Sequence, residues 1–315
     1  MTPPKGKILV IRGGAIGDFI LTIPVLQALR KNFPETHLEV LGYPKVSTLA
    51  VEAGWATCTK SIEAPGLARF FAPRGPVPPE WLQYFAQFDI IITYLFDPDG
   101  LFQNNVSYAG KHHYIKGPHR PDEKLNLHAV DVFLKPLEKL AIYETGLLPD
   151  LSRLGSLQAK QTKNITKVAI HPGSGSPNKN WPLEQWKCLI EQLLQDPHME
   201  LLIVAGEAER ERAEELNELL AGNRTQLSMN LPLGDLARTL SQTQAFIGHD
   251  SGISHMAAAL EIPSVILWGP TNMNIWRPLG KHVTIIESDQ GLSGIQPKQV
   301  IRELNRLLEL GQSFQ

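Results

Sequence analysis

Strand-length apolar runs separated by helix-length amphipathic segments recur along this chain, and that alternation limits its fold more than any other feature. Residues 7-KILVI-11 read as a buried strand, 13-GGAIGD-18 turns the chain, and 19-FILTIPVLQALRKNF-33 reads as a helix that Pro34 closes. The runs 37-HLEVL-41 and 89-DIIITYL-95 are further strands, with helical pattern at 45–54, 80–88 and 128–143. The pattern restarts at 167-KVAIH-171 and continues through strands at 200–206, 226–229, 245–249 and 264–269. Helical segments fall at 182–194, 208–220, 233–241, from Gly252 onward, and at 298–310. Strands alternating with helices predict a parallel sheet covered on both faces. The polar, weakly patterned stretch 150–166 reads as a linker. The expected fold class is therefore α/β, with two Rossmann-like domains in tandem at 1–155 and 156–315. Ligands of such sheets bind outside the carboxyl ends of the strands, so the expected site is the cleft between the two domains.

Length agrees with two domains, and 315 residues with 43% hydrophobic content can bury a core in each. A net charge of -2 argues against a nucleic-acid partner. Cys58 and Cys188 are far apart and form no metal or redox spacing, which favours reduced thiols and a cytoplasmic location. The apolar run in MTPPKGKILVIRGG is too short for a leader peptide. No stretch approaches the ~18 uninterrupted apolar residues of a membrane span, although a peripheral membrane contact stays open.

Three strand ends carry residues suited to anion chemistry. In 12-RGGAIGD-18, glycines bring backbone N–H groups to a helix start, where the dipole favours an anion. The dinucleotide fingerprint fails because Arg12 stands where its first glycine belongs, so a nicotinamide dehydrogenase ranks low. Asp18 is either a charge favourable at a helix N-terminus or a general base. In 171-HPGSGSPNKNW-181 the composition is that of a phosphate loop without the Walker spacing, so Lys179 is either a point charge for a diphosphate or a solvated lysine. Trp181 and Trp186 read as core. In 248-GHDSG-252 the serine directly precedes Gly252, so the nucleophile-elbow pattern of a serine hydrolase fails. Ser251 and the Gly252 N–H can cradle an anion at the following helix start. His255 lies one turn beyond Ser251, and the default role of Asp250 is the N-cap. The D-x-D in 97-DPDG-100 reads as a turn rather than a metal site, and the pair 112-HH-113 has no further ligand at sensible spacing.

Taken together, 7-KILVIRGGAIGDFILTIPVLQALRKNFPE-35, 170-IHPGSGSPNKNWPLEQW-186 and 247-IGHDSGISHMAAALEIPSVILWGPT-271 resemble glycosyltransferase family 9, the ADP-heptose–lipopolysaccharide heptosyltransferases. The resemblance spans nearly the whole chain. It implies the GT-B fold, two Rossmann-like domains whose parallel sheets face each other across a cleft, with the acceptor on the first domain and the sugar nucleotide on the second. Asp18 matches the family's catalytic base and Lys179 the lysine that meets the donor phosphates. Asp250, Ser251, Gly252 and His255 match its D-[ST]-G-x-x-H signature, with serine where many members have threonine. Ser174 falls in the phosphate-facing loop. Glu207 is the candidate for the ribose hydroxyls, with Glu209 its competitor, and Leu231 for the adenine pocket.

The implied reaction is a single inverting displacement without a required cofactor or metal. Asp18 takes the proton of an acceptor hydroxyl while Lys179 and the loops meet the charge of the leaving ADP. ADP-heptose is the implied donor and a lipid-linked saccharide at the cytoplasmic face of the inner membrane the implied acceptor. Arg120 and His128 are acceptor candidates, the segment 63–79 is a candidate acceptor loop, and the terminal helix 298–310 is expected to cross back to the first domain. A different nucleotide sugar, or a member that binds nucleotide or saccharide without turnover, remains an alternative.

Overall fold

The computed structural model describes residues 5–73, 76–155, 165–219 and 224–313. The chain divides into two units, Met1–Leu147 and Leu148–Gln315, eight residues before the expected boundary. The difference has a local cause. Leu151 N–H donates to the Ala259 carbonyl at 2.8 Å, and the buried Leu154 closes a short 3₁₀ turn, so this segment belongs with unit 2. Residues 156–164, most of the expected linker, lie outside the described residues, as do residues 74 and 75 of the candidate acceptor loop.

Unit 1 contains, in order, β1 (Lys7–Arg12), α1 (Ile16–Ile20), α2 (Ile23–Asn32), β2 (His37–Gly42), α3 (Pro44–Glu52), β3 (Cys58–Ser61), α4 (Pro79–Phe85), β4 (Ile90–Thr93), α5 (Leu101–Ser107), β5 (His113–Lys116) and α6 (Ala129–Leu134). Its parallel sheet has the order β3-β2-β1-β4-β5. The expected helix over 19–33 is interrupted at Leu21 and Thr22. Pro24 offers no N–H to the Ile20 carbonyl, and the Thr22 hydroxyl donates to the Asp18 carbonyl at 2.8 Å, so the ladder breaks there. Likewise Pro136 ends the expected helix over 128–143 after Leu134, and a 3₁₀ turn over Lys135–Leu140 replaces the rest.

Unit 2 contains β6 (Thr166–Ile170), α7 (Leu183–Leu193), β7 (Met199–Ala205), α8 (Arg210–Leu219), β8 (Thr225–Met229), α9 (Leu233–Leu240), β9 (Ala245–His249), α10 (Gly252–Ala259), β10 (Ser264–Leu267), α11 (Met273–Trp276), β11 (Val283–Ile286) and α12 (Pro297–Ser313). The order β11-β10-β9-β6-β7-β8 is all parallel. In each sheet the strand order reverses beside the first strand, between β1 and β4 and between β6 and β9. Loops leaving these pairs diverge and open a crevice at the carboxyl ends.

Val168, Ile170, Trp181, Trp186, Ile247 and Leu267 form one core with Val300 and Leu304 of α12. Both tryptophans are fully buried, as their apolar surroundings in sequence suggest. Helix α12 packs on α7, β9 and β10 within unit 2. Leu304→Ala should therefore destabilise unit 2 by about 2–5 kcal/mol. Exposed Arg302→Ala should stay within about 0.5 kcal/mol. Chemical denaturation of both variants checks this, and equal effects would refute the packing described.

Candidate functional site

At the carboxyl ends of β6 and β9 in unit 2, Lys179 meets the stretch that begins at Asp250. Lys179 comes from the loop after β6 and Asp250 directly follows β9. Lys179 Nζ lies 2.6 Å from Asp250 Oδ2, an ion pair that spans the point where strand order reverses. The Asp250 side chain is only 8% exposed and that of Lys179 31%, so the carboxylate is buried while the ammonium reaches solvent. Asp250 is not the N-cap, its default role from sequence. That position belongs to Ser251, whose Oγ accepts from Ser254 N–H at 3.4 Å. Gly252 opens α10, and His255 is buried one turn later.

The loop bearing Lys179 is fixed from below. Ser174 N–H donates to Asn180 Oδ1 at 2.7 Å, and Ser174 Oγ bonds to the Ser176 carbonyl at 3.0 Å. His249, the last residue of β9, accepts from Trp181 N–H through Nε2 at 2.9 Å. His171, the first residue after β6, meets the Val204 carbonyl through Nδ1 at 2.9 Å. Asn180, His171 and His249 escape a reading by motif. The signal available was a polar residue at the end of a fully buried strand, which must find a specific partner.

The two competing glutamates have different surroundings. Glu209 is buried, its carboxylate accepts from Gly206 N–H at 3.0 Å, and its side chain fills the space above Gly173, where a Cβ would clash. Glu207 is exposed and pairs with Arg210 at 3.0 Å, which lowers its pKa. Asn230 Nδ2 also donates to Glu207 at 3.2 Å, tying this carboxylate to the turn that carries half-buried Leu231.

In unit 1, Asp18 lies in the first turn of α1. Its Oδ2 accepts from Ala15 N–H at 3.0 Å, the helix-start role that the sequence allows. The carboxylate lies over Gly14, whose φ of +104° suits glycine and whose added Cβ would come within 2.8 Å of Oδ2. Asp18 Oδ1 faces Arg12 Nη2 at 3.8 Å. Arg12 is nearly buried, donates to the His119 carbonyl at 2.9 Å and sits 4.4 Å from the Phe133 ring centroid. Burial lowers the guanidinium pKa and the Asp18 charge opposes that shift. Sequence reasoning treats Arg12 only as a broken fingerprint, whereas it is the cation that faces Asp18.

The acceptor candidates separate. Arg120 is exposed, while His128 is buried and caps α6 by accepting from Val130 N–H at 3.2 Å. Asp97 of the D-x-D accepts from Phe102 and Gln103 N–H groups, both at 3.1 Å, and so caps α5.

A profile for glycosyltransferase family 9 (heptosyltransferase) matches residues 120–303, more than half of the 315 residues. The chain belongs to glycosyltransferase family 9. Among curated family relatives, lipopolysaccharide heptosyltransferase 1 of Pseudomonas aeruginosa is 33% identical over 123 residues, 39% of this chain and 34% of that protein. Lipooligosaccharide heptosyltransferase 2 of Haemophilus ducreyi is 29% identical over 171 residues, 47% of this chain and 49% of that protein. The chain thus spans about half or less of the length of these relatives. Among solved structures, E. coli ADP-heptose lps heptosyltransferase II superposes with a TM-score of 0.78 at 19% identity, over 97% of this chain and 99% of that one. A family 9 glycosyl transferase from Veillonella parvula gives 0.73 at 21%, over 98% of each chain. At such identities the likeness establishes the fold, which is the GT-B fold of family 9.

The buried histidines of this family 9 member generate a pH prediction. Burial, reinforced by the neighbouring His171 imidazole, pushes the His249 pKa down to about 3 from 6.5. Folded His249 therefore stays neutral while the unfolded chain takes up a proton below pH 6.5, so stability falls as pH drops from about 6.5 toward 3 and is unaffected above that window. His249→Gln keeps an acceptor for Trp181 N–H without a titrating group. It should flatten the loss by about 1.4 kcal/mol per pH unit in that window, measured by urea denaturation at stepped pH. Parallel pH profiles for the two proteins would exclude this role.

Proposed function

We propose that this family 9 member is an inverting glycosyltransferase that moves heptose from ADP-heptose to a lipopolysaccharide-core or related lipid-linked saccharide. The observation that carries this reading is the Lys179–Asp250 pair at the reversal point of unit 2, beside the start of α10. An ammonium held at a helix start, with glycine backbone around it, suits a diphosphate. The relatives are named as lipopolysaccharide heptosyltransferases, and a neighbouring structure is described as E. coli heptosyltransferase WaaC with ADP, TM-score 0.72 at 19% identity over 96% of this chain and 99% of that one. Both support ADP-heptose as donor.

In the proposed step, Asp18 takes the proton of an acceptor hydroxyl as that oxygen bonds to the anomeric carbon, and the bond from that carbon to the ADP oxygen breaks. The anomeric configuration inverts. Lys179, the Ser251 hydroxyl and the Gly252 N–H meet the charge that grows on ADP, and Asp250 aims the ammonium. Ser174 shapes the phosphate loop, Glu207 receives the ribose hydroxyls, Leu231 flanks the adenine, and His255 supports α10 from within. Arg12 keeps the Asp18 carboxylate oriented. Unit 1 has an open groove of about 930 Å³ in which Leu125, Leu127, Ile142 and Tyr143 stand beside Lys135, Lys139, Asp131, Glu138 and Glu144, and its apolar part suits a lipid-linked acceptor. Arg120 is the proposed contact to acceptor anions, with His128 holding the adjoining turn. The proposed approach to a lipid acceptor is peripheral, at the cytoplasmic face; no helix among the described residues is long and apolar enough to cross a membrane.

Two variants test the division of labour. Asp18→Asn should lower turnover of ADP-heptose with acceptor by about 10²–10⁴-fold and leave the ADP dissociation constant near wild type. Lys179→Met should weaken ADP binding by roughly 10–150-fold, the range of a charge-assisted hydrogen bond. Calorimetric titration with ADP, UDP and GDP, together with an ADP-release assay, reads both. Near-normal turnover in Asp18→Asn would end the general-base assignment, and preference for UDP or GDP would replace the donor.

A further inference from the structure

A buried carboxylate interrupts the core of unit 1 far from the proposed catalytic residues. On β2, residues alternate between faces, so Glu39 and Leu41 share one face. Their register partners on β1 are Leu9 and Ile11, and all three aliphatic residues pack in one core with Trp81, Tyr84 and Phe85. Glu39 is thus a charged group in an apolar row, and it is buried. Such a group persists only with dedicated partners.

Those partners are metal-binding types. His37 Nε2 lies 3.1 Å from Glu39 Oε2. Cys58, the register partner of Glu39 on β3, places Sγ 3.6 Å from the same His37 nitrogen. One donor atom from each of the three lies within 4.8 Å of the others. Zinc bound to nitrogen or oxygen at about 2.0–2.1 Å and to sulfur at about 2.3 Å has tetrahedral edges of roughly 3.3–3.6 Å. The two edges at His37, 3.1 and 3.6 Å, therefore need little adjustment, and the Glu39–Cys58 edge closes from within 4.8 Å. The second carboxylate oxygen, Glu39 Oε1, accepts from Tyr84 Oη at 2.7 Å, the outer hydrogen bond that orients a ligating carboxylate.

We propose that His37, Glu39 and Cys58 form a zinc site with three protein ligands and a fourth position for water, which clamps the edge strand β3 to β2. The mixed nitrogen, oxygen and sulfur set selects zinc over magnesium or calcium, which take oxygen ligands. On binding, the Cys58 thiol proton leaves to solvent and the thiolate, Glu39 carboxylate and Zn²⁺ together are neutral. Lys60, whose Nζ lies 4.3 Å from the Tyr84 ring centroid, then faces no excess cation. His37 lies five residues before Gly42, the partner of Arg12, or roughly 16 Å along the strand. The site is structural rather than part of the transfer chemistry.

The test uses the full chain, stripped with chelator and then titrated with Co²⁺ and with Zn²⁺ against a chromophoric chelator. One equivalent should bind, with the thiolate-to-cobalt charge-transfer band and the visible bands of tetrahedral cobalt. Cys58→Ser, a near-isosteric change, should abolish the charge-transfer band, and Cys188→Ser should retain it. Tyr84→Phe, which leaves all three ligands in place, should weaken zinc binding by about tenfold. Absence of stoichiometric binding, a band that survives Cys58→Ser, or a band lost in Cys188→Ser overturns the proposal.

Discussion

The parallel pairing of β6 with β7 on one side and β9 on the other is the constraint on which unit 2 depends. Because these neighbours sit on opposite sides of β6, the connections that follow β6 and β9 leave on opposite faces of the sheet. Two loop ends then stand beside each other without covering one another. Lys179 and Asp250 meet in that opening, and their ion pair fastens the two loops where the backbone itself provides no ladder. The buried carboxylate would be costly alone, so the lysine is bound to this position by electrostatics as well as by chain geometry.

The two units solve one problem with different chemistry. In unit 2 the polar groups beneath the crevice are neutral imidazoles, His171 and His249, each engaged with a backbone group. In unit 1 the last residue of the first strand is Arg12, a buried cation resting against Phe133 and facing Asp18. Above the neutral floor of unit 2 stands the Lys179–Asp250 ion pair. In unit 1 a fixed guanidinium stands 3.8 Å from the carboxylate above it.

Much of this was legible in the sequence, and the exceptions share a cause. The central strands announce themselves because both their faces are buried and nearly every side chain is apolar. The strands over Cys58–Ser61, His113–Lys116 and Val283–Ile286 escape a pattern reading because they lie at sheet edges, are four residues long, and in the first two cases carry polar residues without a two-residue alternation. Prolines 24 and 136 break helices whose apolar spacing alone looks continuous. At the candidate site, Asp18, Lys179 and the Asp250–His255 stretch stand out because glycines and helix starts surround them. Arg12, His171, Asn180 and His249 do not, since their partners come from distant segments and no local spacing encodes a tertiary hydrogen bond. The His37–Glu39–Cys58 cluster is hidden for the same reason, its thiol lying on a different strand.

The break at Leu21 and Thr22 has a mechanical consequence. A continuous helix from residue 16 to 32 would transmit any movement of its first turn to the apolar residues that α2 buries. With the ladder interrupted, the five-residue α1 is a separate lever of one turn, hinged where Thr22 and Pro24 have released it. The one-turn α1 is still anchored by its own buried Phe19 and Ile20, so Asp18 stands on a short segment with its own hold on the core. The turn that carries Asp18 and the helix that fills the core are thus two segments, and a substitution in one does not propagate to the other along a shared hydrogen-bond ladder.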